Sequence, residues 1–288
     1  MKAILTLAAV LFSLTISAQN LAGKKILLIS DVDDTIKVSN VRDSLEKVSF
    51  AVFNDSLFYG MNLVYKSIEK DSFRSGEAAE FYYLSNGWKP TVVESHGAIL
   101  NNYNFPSPQN YIARNLKEVL TKVPHKKNNI AKIVNEVQPE ILILVGDNGE
   151  KDPEVYNEMA NKIKKAYSTN GKSIKILTYI HTVYKPKNIK TSDLYPGQIP
   201  FSNAAELAVL LNEEKIISVT EALKIVVNMM AKVKKEKPNS VYGPLVYPYF
   251  KYRGAVSDFK NRQCQRVYTG SSFTKYLDKI GSGFNVSN

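Results

Sequence analysis

Three carboxylates crowd the five residues Asp31-Val32-Asp33-Asp34-Thr35, where an apolar run turns polar. Like charges this close repel, and packing does not ask for them; a bound cation or a role in chemistry offsets the repulsion. One carboxylate can attack phosphorus and form an acyl phosphate. A second, at hydrogen-bond reach, can protonate a leaving alkoxide and later deprotonate water. In extended backbone Asp31 and Asp33, two apart, point the same way. Mg2+ suits such a site, because it takes one or two carboxylates together with substrate oxygens. A second apolar run ends in Gly146-Asp147, which offers a third ligand. Ser85, at the end of another run, can supply a hydroxyl to phosphoryl oxygens, and Lys126 a point charge.

Strands and helices must bring these residues together. Ile26-Leu27-Leu28-Ile29 and Ile141-Leu142-Ile143-Leu144-Val145 are continuously apolar, as strands covered on both faces are. Phe81-Tyr82-Tyr83-Leu84 and the run from Ser173 to Tyr179 read as further strands. Between them lie helical stretches near Gly60 to Ile68, from about Pro90, and from His125 to Val137, where Ile130, Ile133, Val134 and Val137 form one stripe. Strands alternating with helices argue for a parallel sheet, and ligands sit past the carboxyl ends of such strands. From Asn203 the alternation stops. Ser218-x-x-Glu221 is a capping box that opens a helix striped with Leu223, Val226, Val227 and Met230. Past Pro238 the chain is rich in Tyr, Gly and Pro, without a period.

Met1-Lys2, the apolar stretch from Ala3 to Ile16 and the small pair Ser17-Ala18 read as a secretory signal peptide, so export is expected. Cys264 is the only cysteine, which excludes an intramolecular disulfide and a thiolate-rich metal site. His96, His125 and His181 show no zinc spacing. With 38 Lys and Arg against 27 Asp and Glu, the net charge is +11. Such a surface attracts anionic partners without choosing among them.

In order along the chain, Asp31-Val32-Asp33-Asp34-Thr35, Leu84-Ser85-Asn86, Lys126 and Gly146-Asp147-(x)4-Asp152 resemble the four motifs of the haloacid-dehalogenase-like phosphatases. More narrowly, Ser30 to Lys37 is similar to the catalytic domain of the actin-patch-associated, Mg2+-dependent phosphatidate phosphatases. His125-Lys126-(x)3-Ile130 and the stretch Gly146 to Tyr156 carry the same likeness. The resemblance implies Asp31 as nucleophile and Asp33 as acid and base. It implies Ser85, Asn86 and Lys126 on the phosphate, and Asp147 on Mg2+ with Asp31 and the Asp33 backbone carbonyl. Asp152 is a supporting residue. Asn148 stands where this family usually shows a serine.

The expected fold is α/β: a Rossmann-like, haloacid-dehalogenase-like parallel sheet with a small cap insertion and a mainly helical C-terminal appendage. Residues 1–18 are the signal peptide, 24–200 the catalytic domain, and 201–288 a helical and Tyr-rich appendage. Local sequence leaves rivals open. Asp152 before Pro153 also reads as a helix cap, Ser85-Asn86-Gly87 as a turn, and Lys126 and Lys127 are equivalent until the resemblance selects Lys126. The expected activity is an Mg2+-dependent phosphomonoesterase working through an aspartyl phosphate on phosphatidate or a related lipid phosphate. The short cap region leaves an open site, which suits a membrane-held substrate. A phosphatase of soluble monoesters and a non-catalytic phosphate binder are the alternatives. Lys232-Val233-Lys234-Lys235-Glu236-Lys237 is a solvated helix end or a contact for anionic membrane; nucleic acid is not expected as a partner.

Overall fold

The computed structural model describes residues 23–39, 57–121, 124–183 and 194–235. A six-stranded sheet runs through its centre, with β1 (Ile26–Asp31), β2 (Glu80–Trp88), β3 (Tyr111–Arg114), β4 (Ile141–Asp147), β5 (Lys175–His181) and β6 (Gln198–Phe201). Every pairing is parallel and the order is β3-β2-β1-β4-β5-β6. The order reverses between β1 and β4, so a crevice opens past their carboxyl ends. Asp31 and Asp147 are the last residues of these two strands.

Alternation of side chains along β1 divides the core in two. Ile26 and Leu28 face a cluster built with Val64, Tyr65 and Ile68 of α1 (Met61–Arg74), Leu207 and Leu211 of α6 (Ala204–Glu213), and Ile225, Val226 and Met229 of α7 (Val219–Lys235). Leu27 and Ile29 face the other cluster, with Ile130, Ile133 and Val134 of α4 (His125–Val137) and Tyr156, Met159 and Ile163 of α5 (Asp152–Thr169). Each such fully buried Leu or Ile is worth roughly 1.5–3 kcal/mol. Because both faces of the central strands are covered, β1 and β4 are buried along their whole length and apolar up to their polar ends, which is the signal that made them legible. The remaining helices, α2 (Lys89–Asn102) and α3 (Leu116–Thr121), sit after β2 and β3.

The helical C-terminal part packs into the first of these cores. The helix expected from the capping box is present: Ser218 Oγ accepts from the Glu221 backbone N–H at 3.4 Å. The reciprocal half of the box is absent. Ser218 N donates to Asp71 Oδ2 at 2.7 Å, and Glu221 instead receives Lys70 and Lys224. No described helix is long and apolar enough to cross a membrane. The expected signal peptide (1–18), much of the expected cap (40–56), and the Tyr-rich segment lie outside the described residues, as do the side chains of the Lys232–Lys237 run.

Candidate active site

The acidic motif leaves β1 as a tight loop. Ile36 N and Lys37 N both donate to the Val32 carbonyl, at 2.9 and 2.8 Å, and Asp34 N donates to the Lys37 carbonyl at 2.7 Å. Asp34 takes a left-handed backbone, φ 56°, a region that Asp tolerates better than most residues. Its carboxylate accepts from Ser39 N at 2.8 Å. Val32 and Ile36 are buried beneath the turn. His181 at the end of β5 lies 3.0 Å from the Asp34 carbonyl and stacks on Phe201. Burial pulls the His181 pKa down to about 4, so the imidazole is a neutral brace for this loop.

Around Asp31 the loop meets α4 and α5. Lys126 Nζ lies 2.6 Å from Asp31 Oδ1 and also contacts Asp152 Oδ1. Asp31, Asp147 and Asp152 are all buried, and one carboxylate oxygen from each lies within 4.8 Å of the others. Gly146 makes this approach possible. A Cβ there would stand 2.5 Å from Asp152 Oδ2 and 2.7 Å from Tyr156 Cε2. Asp152 also accepts from Asp147 N at 3.4 Å, and the Tyr156 hydroxyl donates to the Val145 carbonyl at 3.1 Å, which fixes α5 against β4.

Electrostatics in this cluster is a contest between burial and charge. Burial raises the Asp31 pKa well above the ordinary carboxylate value, against the pull of Lys126 and with the help of Asp152 and Asp33. Asp147 is raised by burial and by repulsion from Asp152, Asp31 and Asp34. Asp152 is raised by burial, with Lys126 opposing. Burial works to lower the Lys126 pKa, but Asp152 and Asp31 outweigh it and hold the ammonium charged. One positive charge therefore serves three buried carboxylates. That surplus of negative charge, on hard oxygen donors, fits a divalent cation such as Mg2+.

Asp33 belongs to a different network. Its carboxylate accepts from Ser39 Oγ at 2.6 Å and Ser85 Oγ at 3.0 Å, and His96 Nε2 faces it at 3.2 Å. His96 Nδ1 in turn lies 2.8 Å from the Tyr111 hydroxyl. Burial pushes the Asp33 pKa up, but His96, the Ser39 hydroxyl and Lys37 overcome it and hold the group well below the usual range. Lys37 is itself buried and donates to Ser95 Oγ at 3.1 Å. Ser85 also accepts from Gly87 N at 3.0 Å, at the irregularity where β2 shifts register between Ser85 and Trp88; the stretch expected to end the strand as a turn therefore lies inside β2 and carries the Ser85 hydroxyl to Asp33. Asn86 donates to Glu150 at 3.3 Å.

Of the residues singled out in sequence, Asp31, Lys126, Asp147 and Asp152 meet in one cluster, and Asp33 and Ser85 in an adjoining one. Asn86 and Lys126 line a cavity of about 580 Å³ with Arg114, Lys127, Glu150 and Lys151. A larger cavity, about 730 Å³, lies between α1 and α7 and holds none of these residues. Asp152 is the first residue of α5 and its carboxylate goes to Lys126, so the cap reading gives way to the ion pair. Local sequence did not reveal His96, Tyr111, Lys37 or His181.

Residues 26–168 match the family model of the catalytic domain of phosphatidate phosphatase APP1. That match covers just under half of the chain. Over 141 residues the chain is 30% identical to phosphatidate phosphatase APP1 of Saccharomyces cerevisiae, a match covering 46% of this chain and 23% of the relative. Over 149 residues it is 28% identical to an uncharacterized protein of Schizosaccharomyces pombe, covering 47% and 23%. The matches thus span about a quarter of each curated relative, and the family match over residues 26–168 takes in β1 to β4 and α4, which carry Asp31, Ser85, Asp147 and Lys126.

Proposed function

We propose that this protein is a Mg2+-dependent phosphatidate phosphatase in which Asp31 is the nucleophile. The observation that carries the reading is the Asp31–Lys126 contact at the β1/β4 crevice, with Asp147 and Asp152 beside it. Asp31 attacks phosphorus through one carboxylate oxygen, and the ester oxygen leaves with its bonding electrons. Asp33, ionised in the free protein, takes the proton that the monoanion of the phosphate ester brings and gives it to the leaving alkoxide. It then takes one from the water that attacks the phosphorus of the aspartyl phosphate, releasing inorganic phosphate and free Asp31. Lys126 holds charge on the phosphoryl oxygens, and Ser85 and Asn86 line the approach. Asp31, Asp147 and the Asp33 backbone carbonyl would hold Mg2+, which supplies charge neutralisation between carboxylate and phosphate.

The match to the phosphatidate phosphatase family model supports phosphatidate over other esters, and the cations Arg114 and Lys151 beside Lys126 support an anionic substrate. The N-terminal charged and apolar run supports export. A panel of phosphatidate in mixed micelles, sugar phosphates and nucleotides tests the substrate. Phosphatidate should be hydrolysed with the highest kcat/KM, in Mg2+ and not in excess chelator. Preference for a soluble monoester would overturn the lipid reading, and full turnover without metal would overturn the mechanism.

A further inference from the structure

Helix α3 is inverted for a surface helix. Leu116, Val119 and Leu120 fall at i, i+3 and i+4, the spacing of one helical face, and a surface helix ordinarily turns such a face to the core. Here α3 has no buried residue, and Leu116 is 57% and Leu120 72% exposed. The inward face is polar. Glu118 Oε1 meets His125 Nδ1 at 3.0 Å, Glu118 Oε2 accepts from Asn115 N at 2.9 Å, and the Glu118 carbonyl accepts from Arg114 Nη2 at 3.2 Å. These polar contacts pin the helix down, and its apolar stripe looks out.

Residues on either side of α3, Arg114 before it and His125 after it, line the cavity that holds Lys126. Trp88, 45% exposed, pairs in sheet register with Arg114, two residues before Leu116. Arg114 lines the 580 Å³ cavity together with Lys126, Lys127 and Lys151. Lys89 and Lys117 are exposed next to Trp88 and Leu116. Isolated exposed apolar residues mean little, but a Trp and three aliphatic side chains on segments that adjoin the cavity through Arg114 and His125, whose lining carries Arg114, Lys126, Lys127 and Lys151 against Glu150 and Glu154, make a patch. Aromatic, aliphatic and basic side chains in that combination suit the headgroup layer of an anionic bilayer.

We propose that Trp88 and the Leu116/Val119/Leu120 face of α3 seat this protein on an anionic lipid bilayer, with the cavity of Lys126 opening towards the headgroups. The inference rests on the lipid-phosphate reading above and names the surface that serves it. The polar underside of α3 reaches His125, the neighbour of Lys126, so the docking face is held rigidly to the helix that carries the phosphate-binding lysine. This surface lies at the mouth of the site, far along the chain from the lysines of 232–237.

Trp88 is the only tryptophan, so its emission reports on this surface alone. Vesicles of phosphatidylcholine with about a third phosphatidylglycerol, which is not a phosphomonoester, should shift that emission to the blue, and high salt should weaken the effect. Lipids with a spin label high on the acyl chain should quench it. Leu116→Ser with Leu120→Ser removes exposed apolar atoms only. That variant should lose about ten-fold or more in vesicle affinity and in turnover of vesicle-borne phosphatidate, with unchanged turnover of a soluble aryl phosphate. Trp88 emission blind to vesicles, or vesicle binding abolished by K232Q/K234Q/K235Q/K237Q and untouched by the leucine pair, would overturn the proposal. If Trp88 stays blind while micellar phosphatidate is still hydrolysed, the docking surface is lost and the substrate reading stands. If Trp88 responds and phosphatidate is inert in micelles and vesicles alike, the docking surface stands and the substrate reading is lost.

Discussion

Lys126 Nζ sits between Asp31 and Asp152, 2.6 Å from the first and in direct contact with the second. Asp31 ends β1, whereas Asp152 opens α5, so one ammonium group ties the loop-bearing strand to the helix that follows β4. The carboxylate proposed to attack phosphorus is thereby held in place by the side chain proposed to meet the phosphate.

Asp31→Asn should abolish turnover while leaving the fold intact, because an amide keeps the shape and loses the nucleophile. Beryllofluoride should label Asp31 in the unsubstituted protein, with the adduct located by mass spectrometry or NMR. Asp33→Asn should cost about 10²–10⁴ in rate on phosphatidate and less on aryl phosphates, whose leaving oxygen hardly needs a proton. Wild-type rates in Asp31→Asn would end the mechanism.

Lys126→Met strips the one cation from three buried carboxylates. Removing one partner of a buried pair typically costs about 3–5 kcal/mol, so urea unfolding in chelator should show a loss of that order together with lost activity. Adding Asp152→Asn should restore part of the stability and none of the activity, since the surplus charge falls but the phosphate's partner stays absent. Full activity in the double variant would show that Lys126 does not serve the phosphate.

Gly146→Ala should disturb the site from behind. Its new methyl would crowd Asp152 and Tyr156, and overpacking of this kind costs about 1–3 kcal/mol. Asp152 must move off Lys126 or β4 must shift, so kcat should fall by more than the stability loss alone explains. An alanine enzyme with wild-type kcat would mean that the Lys126–Asp152 contact is dispensable.

Acid and metal should trade places at the carboxylate cluster. Asp31, Asp147 and Asp152 are raised in the folded protein above the ordinary value of 3.8. Their contribution favours folding below that value and is lost as pH rises through the raised folded values. Asp33 is lowered, so its contribution is present above 3.8 and lost as pH falls below it. Metal-free protein should therefore lose stability as pH rises from 3.8 through the raised folded values, and Mg2+ should restore more at the upper end, where the ligands bind it without first releasing protons. Thermal unfolding with and without Mg2+ across that range checks the sign. A Mg2+ effect that shrinks as pH rises would contradict it.

Sequence alone determined the elements that bury both faces. β1 and β4 are unbroken apolar runs, and each ends in a carboxylate, so strand, strand end and Asp could be read together from Ile26–Asp31 and Ile141–Asp147. The stripe on α4 and the cap of α7 were equally local signals. β3 and β6 were not legible, because four half-covered residues carry no period, and their strand state comes from the neighbour that hydrogen-bonds them. Only the tertiary structure decided the partners. His96 and Tyr111 reach Asp33 because α2 and β3 fold back along β2, and Asp152 reaches Lys126 because α5 returns beside α4. It also turned the Leu116–Leu120 face outward: the spacing of those leucines announces an amphipathic helix, but the ties of Glu118 to His125 and Arg114 choose which face meets the protein. Periodicity is a property of neighbours in the chain, whereas charge pairing is settled by neighbours in space.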